Sequence, residues 1–103
     1  MSANPFAGEV ELTVDGRPLA LRLTLGALAE LEGALGAGSL AEIAGRFDGG
    51  AVRAADVMAV IRAGLRGGGH EADLMTAEIA GGPMEAARVA ARLLARAFSL
   101  PEA

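Results

Sequence analysis

A chain of 103 residues with no cysteine and no lysine has room for one small domain, which buries somewhat over ~60% of the surface its unfolded form exposes. The missing residue types exclude Schiff-base and phosphate-loop lysine chemistry, thiol catalysis, disulfides and thiolate metal sites, and one histidine leaves no protein-only His-rich metal site. A net charge of −4, with three phenylalanines and neither tryptophan nor tyrosine, argues against nucleic acid as the main partner.

Residues 1–8 are expected to form a flexible N-terminus, 9–98 one domain and 99–103 a C-terminal tail. Met1 to Gly8 shows no basic start followed by an apolar run, so no secretory signal is expected. The clearest local pattern follows. Val10, Leu12 and Val14 alternate with Glu9, Glu11 and Thr13, and Leu19, Leu21 and Leu23 alternate with Ala20, Arg22 and Thr24. Between the runs, Asp15-Gly16 suits the positive φ angles of a two-residue hairpin turn. That register sets Leu12 opposite Leu19, Val10 opposite Leu21 and Glu9 opposite Arg22, with the apolar pairs on one face. Pro18 cannot donate to a ladder and fits an outward-facing strand position.

A two-stranded hairpin is marginal alone, and the rest of the chain supplies helices to cover it. Thr24 can cap a helix over Leu25–Leu35, with Leu28, Leu31 and Leu35 on one stripe and Gly36 at the stop. Ser39 and Glu42 read as a capping box for a short helix through Ile43 and Phe47. A third helix runs from near Ala54 to the Gly67-Gly68-Gly69 run, carrying Val57, Val60, Ile61 and Leu65 on one arc, with Arg62 and Arg66 outside it. Arg53, Asp56, Arg62 and Arg66 interrupt this most apolar region, so no bilayer span is expected. Asp73–Ala80 reads as a further short helix carrying Leu74 and Ile79. Gly81-Gly82 then break the chain, and Pro83 opens a last helix to Phe98 with Val89, Leu93, Leu94 and Phe98 inward. The fold class is α+β, an N-terminal β-hairpin packed against four or five short helices.

Three patterns qualify as candidate sites. Gly36, Gly38 and Ala41 match a loose G-x-G-x-x-A motif, but they follow a helix and lack the βαβ unit a dinucleotide needs, so a helix stop and cap is the reading preferred. His70 and Glu71, beside the glycine run, offer a general base without a nucleophile partner; an exposed loop histidine is the simpler account. Arg88, Arg92 and Arg96 recur every four residues on the last helix, as a solvated face or as an arginine strip for an acidic partner surface, which Arg62 and Arg66 could extend. Asp48, Asp56, Glu71, Asp73 and Glu78 are scattered, several at expected helix starts. No catalytic constellation, cofactor site or metal site emerges, and a binding or structural protein in the cytoplasm is expected instead of an enzyme.

The hairpin GEVELTVDGRPLALRLT (8–24), the helix-forming LTLGALAELE (23–32) and AGLRG (63–67) together resemble the small tail protein of gene transfer agents, phage-like particles encoded in bacterial genomes. The resemblance runs from about Gly8 to Phe98 and carries no site residues. It implies either a tail assembly chaperone or a tail tube component. Tail tubes as a class are rings of β-barrel or β-sandwich subunits, whereas this chain offers one hairpin and mostly helix, so the chaperone is the first expectation. Its partner would be the helix-rich tape-measure protein or another tail protein, bound through apolar helix faces and an open hairpin edge. A structural tail subunit that forms a homo-oligomer is the alternative, and a small DNA-associated regulator ranks below both. Replacing His70 by Ala is expected to leave the circular dichroism melt and partner co-elution unchanged; a lost partner would overturn the loop-histidine reading.

Overall fold

The chain reverses at Asp15 and Gly16, whose φ angles of 51° and 79° are the left-handed pair that a two-residue hairpin turn demands. In the computed structural model, which describes residues 8–36, 38–48 and 52–98, this turn joins β1 (Val10–Val14) to β2 (Arg17–Leu21). The antiparallel register pairs Val10 with Leu21, Leu12 with Leu19 and Thr13 with Pro18, as the alternation requires. The pair flanking a two-residue turn exchanges hydrogen bonds and the next pair does not, so the missing N–H of Pro18 leaves the ladder intact. Val10, Leu12, Val14 and Leu21 are buried on one face. The expected flexible N-terminus, apart from Gly8, and the C-terminal tail lie outside the described residues.

Four helices follow: α1 (Leu25–Leu35), α2 (Leu40–Asp48), α3 (Ala54–Gly67) and α4 (Gly82–Phe98). The starts of α1 and α2 are capped by side chains, and α1 is closed by a glycine, at the positions the sequence marks. Thr24 Oγ1 accepts from the Ala27 N–H at 3.1 Å, and Gly36 closes α1 at a left-handed φ of 63°. Ser39 Oγ accepts from the Glu42 N–H at 3.2 Å. Glu42 Oε2 reaches back to the Gly38 N–H at 2.7 Å, a capping box displaced by one residue. Gly36, Gly38 and Ala41 therefore mark a helix stop followed by a helix start.

Helix α3 is the hub, packed against α1, α4 and β2, with Val60, Ile61 and Leu65 buried among them. Its last turn approaches the hairpin at backbone distance. A Cβ on Gly64 would lie 2.9 Å from Leu93 Cδ1 and 3.2 Å from Leu21 Cβ. On Gly67 and Gly68 a Cβ would overlap the carbonyl oxygens of Arg22 and Ala20. The Arg22 N–H donates to the Gly64 carbonyl at 3.0 Å, so helix and strand edge are joined main chain to main chain.

The short helix expected over Asp73–Ala80 does not form. A single turn, closed by the Ala77 N–H on the Asp73 carbonyl at 2.8 Å, gives way to extended chain that pairs with the hairpin at Val14 and Ile79. The Asp15 N–H donates to the Glu78 carbonyl at 2.8 Å, the Ala80 N–H donates to the Thr13 carbonyl at 3.1 Å, and Asp15 Oδ1 accepts from the Glu78 N–H at 2.8 Å. A helix that short leaves most of its polar backbone groups unpaired; the hairpin's outward groups satisfy them better. The open hairpin edge expected as a binding surface is thus corrected as well. Residues 78–80 occupy part of β1's edge, and the end of α3 occupies part of β2's.

Gly67→Ala is expected to destabilise the protein by about 1–3 kcal/mol, because the methyl must push backbone apart from backbone. Gly33→Ala, in α1 with nothing within 4 Å of the added Cβ, is expected to stabilise it by about 0.5–1 kcal/mol. Thermal melts followed by circular dichroism separate the two signs.

Candidate functional site

Helices α2 and α4 lean together without filling the space between them. Ala44, Gly45 and Phe47 of α2 face Ala91, Leu94, Ala95 and Phe98 of α4 across a groove of about 350 Å³. Small residues on both walls create it: alanine and glycine cannot reach across the gap that leucines would close. Phe98, expected inward, is only half-buried and lines this groove. Val89, Leu93 and Leu94 are buried as expected, Ala86 and Ala90 join them, and Phe98 packs against this core from its edge.

The α4 arginines flank this groove unequally. Residues four apart on a helix slip round the axis by ~40° per step. Accordingly Arg88 and Arg92 are exposed, while Arg96 is carried toward the packed side and half-buried. Arg88 pairs with Glu85 in its own helix at 2.8 Å. Arg62 and Arg66 do not extend the strip. Although α3 and α4 are neighbours, they meet through Gly64 and Leu93. Arg66 instead reaches Glu30 of α1 at 2.7 Å, and Arg62 lines a shallow groove beside it with Ala34 and Ala59.

His70 is half-buried and sits over a hollow of about 430 Å³ bordered by Arg62, Arg66, Glu71 and Asp73. Its own N–H closes α3 on the Leu65 carbonyl at 2.7 Å. Among the described residues no group of three or more histidines and carboxylates is placed to hold a metal ion.

One buried charge escapes any reading of the sequence. Asp56, 5% exposed, sits in the first turn of α3 between Arg53 at 3.6 Å and Arg46 of α2 at 3.9 Å. Arg46 also donates to the Leu35 carbonyl at the end of α1 at 3.0 Å and pairs with Glu42 at 3.6 Å. This one guanidinium ties together α1, α2 and α3, and so holds the α2 wall of the groove in place. Asp56 was visible in the sequence only as an acid at a helix start, because nothing local marks a pairing across ten residues.

Residues 7–100 match the family described as phage tail tube protein, GTA-gp10. The chain belongs to this family. No curated protein and no solved structure matches it. By its family it is thus a phage or gene transfer agent tail protein. Among the described residues, no helix of this tail protein is long and apolar enough to cross a membrane.

Asp56→Ala leaves Arg46 without its buried partner and is expected to cost about 2 kcal/mol. A thermal melt would read this as a fall of roughly 8–16 °C; a change within 2 °C would show that solvent already satisfies Arg46.

Proposed function

We propose that this chain is a non-enzymatic structural subunit of a phage-like tail, working by protein contacts in the cytoplasm where the particle is built. The match of residues 7–100 to the tail tube family carries this reading. It reverses the order that the residues alone favoured, where the chaperone came first. Composition supports the non-enzymatic part, since a chain without lysine or cysteine and with one histidine has few groups for acid–base or nucleophilic work.

A second reading, a chaperone that holds the helix-rich tape-measure protein before the tube polymerises, is favoured by one specific observation. Rings that share a continuous sheet need free strand edges on every subunit. Here the hairpin's edges are partly taken by residues 78–80 and by the end of α3.

Two measurements decide between them. At high concentration, a structural subunit forms regular rings or tubes visible by electron microscopy. Co-expressed with the tape-measure protein, a chaperone co-elutes as a soluble complex of defined mass by size-exclusion chromatography with light scattering. Detection uses refractive index, because a chain without Trp or Tyr barely absorbs at the usual wavelength. Rings without co-elution establish the structural role, and co-elution without rings the chaperone. A monomer that does neither would refute both.

A further inference from the structure

Helix α4 has a second apolar face. Beside the inward line that packs on α3 and the hairpin, Met84, Ala87, Ala91, Leu94 and Phe98 recur at alternating steps of three and four, the spacing of a helix–helix seam, with the buried Leu94 shared by both lines. Met84, at the start of that line, is 76% exposed, and Ala91 is exposed in its middle. The seam runs into the α2–α4 groove, whose alanine and glycine walls leave room for side chains larger than their own.

The charges along the seam choose its occupant. Helix α4 carries three arginines against one acid, Glu85, and Glu85 is already held by Arg88 at 2.8 Å. Positions three and four away from Arg92 are Arg88, Val89, Ala95 and Arg96, so no carboxylate of its own helix can reach it. A second copy of α4 would answer this badly. Laid antiparallel, it sets arginine ridge beside arginine ridge; laid parallel, it offers alanine.

We infer that the seam between α2 and α4 receives one amphipathic helix of a different protein, with large apolar anchors at three–four spacing and a flank of Asp or Glu against Arg88 and Arg92. The anchors fill the space over Ala91 and Ala44, and the acidic flank supplies Arg92 with the countercharge that its own helix does not offer. This rests on the reading of the chain as a subunit that works by binding other tail proteins.

The test uses the full chain and two synthetic helical peptides of ~20 residues, long enough for five turns. Both carry leucine at three–four spacing and one tryptophan; one has Glu along its flank and its twin has Lys. Because the protein has no Trp, all tryptophan emission comes from the peptide. The Glu peptide is expected to bind saturably and at least about tenfold more tightly than its twin. Ala91→Gln, which adds neutral bulk on an exposed helical position, weakens it by about tenfold with an unchanged melt. Arg92→Glu narrows or reverses the preference between the twins.

No saturation with the Glu peptide, equal affinity for the twins, or an unaltered Ala91→Gln variant would each overturn the inference. So would a dimer of the unmutated chain that Ala91→Gln dissolves, since the occupant would then be a second copy. Co-elution with tail proteins separates a wrong groove from a wrong role for the chain. If Ala91→Gln keeps that co-elution, the groove assignment alone is wrong. If the unmutated chain neither co-elutes nor assembles, the reading beneath it has failed.

Discussion

The fold turns on a contact made without side chains. At its last turn α3 meets β2 through Gly64, Gly67 and Gly68, and the Arg22 N–H is bonded to the Gly64 carbonyl at 3.0 Å. This close approach makes α3 the hub. With the helix end pinned to the strand, Leu21 of β2 and Leu93 of α4 both close on Gly64, Ile61 and Leu65 are buried, and α1 packs against α3 as well. A two-stranded sheet has too little surface to organise a core alone. A helix locked to its edge supplies what a third strand supplies elsewhere.

A second tie acts on the other side of α3. Arg46 links the end of α1, the body of α2 and the start of α3 through Leu35, Glu42 and Asp56. Among the described side chains of α2, Ile43 is fully buried and Phe47 packs against the core, and the Arg46 tie adds to what places the helix. The result is a helix standing beside α4 with a gap between them. That gap is where packing is left unfinished, and unfinished apolar packing at a surface is the common mark of an interaction site.

The hairpin register, the caps at Thr24, Gly36 and Ser39, and the bounds of α3 and α4 were legible in the sequence because each rests on a local rule. Alternation fixes a face, a hydroxyl satisfies a particular N–H, and a glycine permits a particular φ. What could not be read depended on distant partners. Gly67 and Gly68 looked like a helix stop, yet their lack of side chains is required by the carbonyls of Arg22 and Ala20, some 45 residues earlier. Glu78 to Ala80 looked helical because nothing local announces that Thr13 and Asp15 are waiting to pair. Alanine hid the second face of α4. Ala87 and Ala91 are too small to mark a second line beside the inward one, and Phe98, read as inward, both packs against the core and lines the groove. The arginine strip was legible as a spacing, but the divergence of Arg62 and Arg66 toward Glu30 needed the helix positions themselves.

The occupied hairpin edges also bear on the kind of polymer such a protein can join. A bare strand edge is a template: each added copy presents the same edge again, and growth has no natural end. Here Pro18 removes one outward donor, Thr13 and Asp15 are bonded to residues 78–80, and the end of α3 lies against Ala20 and Arg22. A groove that accepts one helix behaves differently, because it saturates. Contacts of that kind are counted out one per subunit, and the length of what they build is then set by the partner and not by the supply of this chain.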